Sequence, residues 1–512
     1  MLSRNASTDI DAVYYNPGAL TRLSEGFHFA VYGQVNFQKN KIHSEFPLLN
    51  TKDYVGKPGA MAPPAAYMVY KKKNVAFSIG LGRNAGYDKS KYESGLPSFE
   101  IPFARTVDYL SVLKNYNPPY DVTGYNANIS YTQKSTLWGL QLGATYKASD
   151  IFSIYGGVRI LPAANRYEGY IKDVKLVVGG NEQVAPTWLT QVSSLFTNTS
   201  TSYNSSATGV QQLINIGAGN FTIAQCQNAG YISSATRAQY EAALAQLGYS
   251  PSQIAAMNMT QVKSHYSVAA TDYGNLANGT ATAATTMSDK AIEVRQSGIG
   301  FTPIIGISII PVENLNIGIK YELKTSIELI NKTTSDDLDL YTDGEKVKTY
   351  KPAILSVGVG YKTTKLEGQL SYTMYFDKNV DWGPNERYRV VYGRTNPLVP
   401  VRDINNNGYE IGLGLQLNLK DNLSISVGGV QTKMNVGKNF QSDFFYVNPA
   451  LTVGGGIKYK IDKQFVLDAG FSNTFFKKQN VSFRNYSEGH YIDTYEKTAM
   501  GFGIGLLYNI PE

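Results

Sequence analysis

The strongest constraint in this 512-residue chain is the rhythm of its connections. Segments of about ten residues carry an apolar side chain at every second position, the period of a strand with one apolar and one polar face. Leu315, Ile317, Ile319, Tyr321 and Leu323 alternate with Asn316, Gly318, Lys320, Glu322 and Lys324. The same pattern recurs at Leu366–Phe376, Ile411–Leu419 and Met500–Tyr508. Between such segments, very short polar turns (71–74, 147–150, 311–314, 362–365, 420–422, 461–463) alternate with long loops (about 41–64, 88–133, 176–290, 332–349, 379–404, 437–446, 481–493). Six turns and seven loops join fourteen strands, each about as long as a tilted crossing of a bilayer. The prediction is an all-β fold, a 14-stranded antiparallel transmembrane barrel spanning 27–512, with both ends on the short-turn side and a large insertion at about 176–290.

Composition agrees with a barrel. Length alone would suggest several domains, but charged residues are only 17%, with 38 Tyr and 48 Gly, and mean hydropathy is negative at -0.24. Low charge with a polar average fits strands that face lipid on one side and water on the other. The longest mostly apolar run, Gly298–Pro311, is too short for a spanning helix. The net charge of +7 is spread along the chain, which excludes a nucleic-acid footprint. The single cysteine, Cys226, excludes an internal disulfide framework and a CxxC zinc site.

Tyr70, Tyr146, Tyr361 and Tyr459 lie within a residue of short turns and Tyr508 near the chain end. They are expected to form an interfacial ring at one rim. The 176–290 insertion is rich in Ser, Thr, Asn, Ala and Gln. Two short helices are expected in it: one capped by Ser233 or Ser234 and running to Leu247, with Tyr240, Ala243, Leu244 and Leu247 on one face, and one from Pro251 to about Met257. They would cap the barrel mouth, and Tyr240, Leu244 and Leu247 are candidate ligand-lining residues.

No enzymatic constellation is present. The four His lie far apart without metal-ligand spacing, so neither a metal nor another cofactor is expected. Gly80-Leu81-Gly82 and Gly454-Gly455-Gly456 sit within strands and read as close packing or bends. Asp403-Ile404-Asn405-Asn406-Asn407-Gly408 imitates half a calcium loop, but the twelfth position is Gly414, so a turn is expected.

A fourteen-stranded lumen leaks unless plugged, and residues 1–26 belong to no strand pair. This stretch contains Asn16-Pro17-Gly18-Ala19-Leu20 and resembles the N-terminal hatch of FadL-type outer-membrane transporters of fatty acids and other hydrophobic compounds, whose motif is Asn-Pro-Ala followed closely by Leu. Gly156–Gly169 and Gly300–Tyr321 resemble the family's strands flanking its largest loop, in the form found in Bacteroidetes-type bacteria. Gly18 replaces the motif's Ala. The start lacks a secretory leader and the usual first hatch residues, so truncation or a mis-set start is expected. The chain ends Ile510-Pro511-Glu512 instead of on an aromatic.

The resemblance implies passive uptake of fatty acids or similar lipophilic molecules across a bacterial outer membrane, by a monomer in contact with membrane lipid and lipopolysaccharide, with both termini in the periplasm. Cargo would enter a pocket above the hatch and leave sideways through a kinked strand. Tyr14, Tyr15 and Leu20 are candidates for the pocket floor, and Arg83, Arg159 and Arg166 for a carboxylate-binding cation. Gly80, Gly82 and Gly86 on the third strand are candidates for the lateral gate. A non-transporting shuttle or attachment component of a secretion system is the alternative.

Overall fold

The computed structural model describes residues 1–58, 64–485 and 489–511. Its barrel has fourteen strands: β1 (Gly26–Ser44), β2 (Asp53–Pro58 continued by Ala65–Lys72), β3 (Val75–Tyr92), β4 (Val122–Lys147), β5 (Phe152–Val178), β6 (Lys290–Val312), β7 (Leu315–Glu322 continued by Thr325–Asp336), β8 (Lys346–Lys351 continued by Ile354–Lys362), β9 (Leu366–Tyr375), β10 (Ile404–Lys420), β11 (Leu423–Val436), β12 (Ala450–Lys460), β13 (Phe465–Phe476 continued by Gln479–Asn485) and β14 (Gly489–Pro511). The barrel closes where β1 pairs antiparallel with β14, from Gly26 opposite Pro511 to Ser44 opposite Asp493. Closure removes every open edge, which a lipid environment demands of backbone polar groups.

Alternation along the strands sets the two faces. On β10 to β14, Leu413, Val427, Val453, Phe471, Phe502 and Ile504 are exposed, Val427 and Ile504 at 60%. On the opposite pleat of β7, Asn316, Lys320 and Glu322 are buried. Tyr146, Tyr361 and Tyr459 are exposed beside their turns. Tyr70 stacks on Phe27 and Tyr508 on Phe465, with ring centres 4.5 and 4.6 Å apart.

Most strands run well past the ten residues expected for the crossing itself. β1 has 19 residues, and β4 and β5 have 26 and 27. Regular structure therefore takes up much of what the sequence assigns to loops, including 53–58 and 122–133.

The chain divides into two compact units, one of residues 1–101, 129–170 and 290–512 and the other of residues 102–128 and 171–289. In the second unit the expectation of two short helices is incomplete. The helices over Ser234–Gln246, capped by Ser233, and Pro251–Ala256, capped by Ser250, are present. Two much longer ones, Ala185–Asn215 and Met259–Thr286, pack against each other. Their seam buries Phe196, Tyr203, Val210, Tyr266 and Tyr273. The exposed faces carry many Ser and Thr whose hydroxyls bond the carbonyl four residues back, as in Thr197 to Ser193 and Thr201 to Thr197, both at 2.9 Å. That local bonding lets poor helix formers extend a helix which packing already holds.

Candidate functional site

The hatch occupies the lumen as a helical turn, Ala12–Tyr15, followed by a 3₁₀ segment, Pro17–Arg22. Proline at its start fixes the backbone entry. Its polar contacts go mainly to β4–β9. Gln141 donates to the Val13 carbonyl at 2.6 Å, Thr145 to that of Pro17 at 2.8 Å, and Asn316 to that of Ala6 at 2.9 Å. Asn5 and Ser3 reach β9 through Tyr372 and Ser371. Asn16 is buried and donates to the Ser7 carbonyl at 3.1 Å, closing the hatch on itself. The glycine that departs from the hatch motif has a steric reason: a Cβ on Gly18 would stand 2.7 Å from the Ile307 carbonyl carbon. Ile10, Ala12, Val13 and Leu20 form an apolar layer with Ala30, Val69, Ala76 and Leu507.

Beside this plug lies a cavity of about 370 Å³, bounded by hatch residues Arg4, Asp9, Asp11 and Tyr15 and by the walls of β1, β2 and β12–β14. The wall of β12–β14 facing the cavity is rich in glycine, at Gly454, Gly456, Gly470, Gly501, Gly503 and Gly505, with Ser472, Lys458 and Asp468 on the same pleat. Gly456 is opposite Gly470, and Gly470 opposite Gly503, so three glycines stand in a row across three strands. Tyr15, Tyr32 and Tyr67 face this wall. At the polar end, Lys458 reaches Asp9 at 2.7 Å and Arg4 grips both Asp11 oxygens at 2.6 Å. Lys458 holds the Asp9 carboxyl well below the usual carboxylate range. Asp468 contributes a buried oxygen with no hydrogen-bond partner among the described residues.

Of the sequence candidates, Tyr15 alone lines this cavity. Tyr14 points elsewhere: its ring lies 4.7 Å from the Arg159 guanidinium and 4.9 Å from the Lys320 ammonium. Leu20 is fully buried in the apolar layer. Arg159 faces inward, and its charge is engaged at 2.8 Å by Glu322, which also binds Lys320 at 2.9 Å and Lys351. Arg166 is half exposed and paired with Glu168, with Glu293 at 3.9 Å. Arg83 donates to the Ser135 carbonyl at 3.0 Å. Leu244 is buried and Tyr240 and Leu247 half-buried within the helical unit, where the Tyr240 carbonyl accepts from Tyr266 at 2.7 Å. Arg4, Lys458, Asp468 and the glycine wall were missed as site residues. Their only local signal was glycine at alternate positions, in 454–456 and 501–505.

β3 is irregular where the gate candidates lie. Its register against β4 shifts twice, between Arg83 and Ala85 and between Tyr87 and Ser90. Gly86 has φ +103°, and a Cβ there would sit 2.4 Å from the Ser135 carbonyl oxygen. Asn84, at the first bulge, reaches the Tyr14 hydroxyl at 3.3 Å. Gly82 backs onto Ala65 of β2, whose Cβ would be 3.4 Å from a Cβ at Gly82, and Ala65 is itself a cavity residue.

Solved structures share the overall fold of this barrel. A toluene transporter of P. putida, TodX, superimposes with a TM-score of 0.51 at 11% identity, covering 99% of this chain and 95% of its own. The chain has the FadL-type outer-membrane barrel fold. A FadL homologue of Pseudomonas aeruginosa matches with a TM-score of 0.55 at 12% identity, over 98% and 94% of the two chains. No protein-family model and no curated sequence matches this FadL-type barrel.

Proposed function

We propose that this barrel carries long-chain fatty acids or similar lipophilic molecules passively across a bacterial outer membrane, through the lumen cavity and a lateral exit at β3. The observation that carries this reading is the reach of the cavity to Ala65, which lies against Gly82 at the edge of the doubly bulged stretch. A sideways exit suits such cargo, because each CH₂ moved into water costs about 0.8 kcal/mol. Three buried cations, Arg159, Lys320 and Lys351, share the one carboxylate of Glu322, so their side chains supply surplus positive charge for an acidic headgroup. The protein works as a monomer in contact with lipopolysaccharide, with both termini in the periplasm and no catalytic step. The fold shared with a toluene transporter and a FadL homologue supports a hydrophobic cargo.

The test is Gly86→Val. A Cβ so close to Ser135, at a φ that side chains rarely adopt, must reshape the bulge. Uptake of radiolabelled fatty acid should fall several-fold in cells carrying equal amounts of folded barrel. Unchanged uptake would remove the gate from β3.

A further inference from the structure

The cavity's wall and its idle polar groups point beyond lipophilicity in general. Tyr hydroxyls in buried settings normally find partners, yet those of Tyr15, Tyr32 and Tyr67 make no hydrogen bond among the described residues. Asp468 lines the same space. Opposite them the glycine wall is flat. With strands about 4.8 Å apart, the row Gly456, Gly470 and Gly503 is bare over about 10 Å, between Ser472 on one side and Lys458 and Asp468 on the other. Glycine within a strand costs roughly 0.5–1 kcal/mol relative to alanine. A side chain would fit at some of these positions, since a Cβ at Gly470 or Gly503 would meet its nearest atom at 3.5 or 3.7 Å. At Gly470 and Gly503 the bare wall therefore opens room for something other than the protein, whereas a Cβ at Gly454, Gly456, Gly501 or Gly505 would stand within 2.9 Å of protein atoms.

We propose that this cavity is a binding slot for a planar ring compound bearing a hydrogen-bonding substituent, of the phenol or naphthol class. The ring lies flat on the Gly470 and Gly503 backbone, and its hydroxyl, with one proton to donate and two lone pairs, exchanges hydrogen bonds with the phenols of Tyr15, Tyr32 and Tyr67. The inference rests on the reading of the lumen cavity as the cargo's route and narrows the cargo from chains to substituted rings.

The experiment measures binding of 1-naphthol, naphthalene and dodecanoate to the purified full-length barrel in lipid nanodiscs by titration calorimetry. 1-Naphthol should bind at least tenfold more tightly than either of the others. The triple change Tyr15→Phe, Tyr32→Phe, Tyr67→Phe should bring naphthol within twofold of naphthalene. Gly470→Leu, or Gly503→Leu should the first fail to fold, should weaken naphthol binding more than tenfold, while Gly503→Ala should weaken it little. Equal affinity for naphthol and naphthalene, or full naphthol binding by both leucine variants, would overturn the slot. Naphthol binding without uptake into cells would instead leave the slot standing and remove the transport reading.

Discussion

Replacing Glu322 by Gln tests whether one carboxylate holds the barrel's charged interior together. Glu322 is 2% exposed and binds Arg159 at 2.8 Å, Lys320 at 2.9 Å and Lys351, whose side chains are 1%, 6% and 12% exposed. At that depth solvent screens little, and removing one partner of a buried pair costs about 3–5 kcal/mol because the opposite charge stays behind. Glu322→Gln keeps the volume and strands three cations at once, so its cost should lie at the upper end of that range. Lys351→Met removes only one of three partners and leaves the carboxylate doubly paired, so it should cost less than half as much. Urea unfolding of barrels in lipid vesicles, followed by the mobility difference between folded and unfolded forms on unheated gels, gives both values. A cost below about 1 kcal/mol for Glu322→Gln, or equal costs for the two variants, would refute the shared-carboxylate argument.

Three further outcomes follow from other parts of the molecule. Deleting residues 5–20 removes Asn16, Pro17 and the buried Leu20 with their wall contacts, and should raise KCl conductance in planar bilayers; unchanged conductance would mean that the plug lies elsewhere. In the loops, Arg387 is fully buried, binds Asp493 at 2.8 Å and Tyr491 at 2.8 Å, and lies 3.4 Å from Asp443, which caps the Ser98 amide. Asp493 stands seven residues ahead of Met500, where the run of exposed apolar side chains at every second position (Met500, Phe502, Ile504, Leu506) starts, and burial, opposed by Arg387, pushes its carboxyl up to about 6. A carboxyl raised in the folded state stabilises it fully below the ordinary value and loses that contribution as pH rises through about 6. Hydrogen exchange at 386–392, corrected for intrinsic rate, should therefore be slower at pH 5 than at pH 8, and Asp493→Asn should abolish the difference. In the helical unit, Phe196→Ala should cost about 3–5 kcal/mol, read as faster exchange along 185–215 and 259–286.

The barrel was legible because its signals are local. Alternation at Leu315–Leu323 and turns such as 420–422 determine strands within ten residues, and tyrosines mark the rim beside the turns. The long helices were hidden because 185–215 contains no charged residue, so neither ion-pair spacing nor charged caps announced it. The site was harder to read for a different reason. Lys458 and Asp9 meet across 449 residues, and Arg159 and Glu322 across 163. Alternation places Arg159 inward but carries nothing about what stands opposite. Gly454-Gly455-Gly456 read as close packing, and a Cβ at Gly454 or Gly456 would stand 2.5 or 2.9 Å from a carbonyl oxygen of the next strand; the room lies at Gly470 and Gly503, which carry no such local mark.

The two halves of β7 stop at Glu322 and resume at Thr325, and those of β8 stop at Lys351 and resume at Ile354. Lys351 binds Glu322, so the two interruptions are riveted to each other at the point where both ladders break. Beyond the joint, the hairpin of 325–351 is tied to the rest of the barrel by its ladder with β6, from Glu328 opposite Ile299 to Asp336 opposite Ile292, so a replacement hairpin has to match that register and restore a cation at 351.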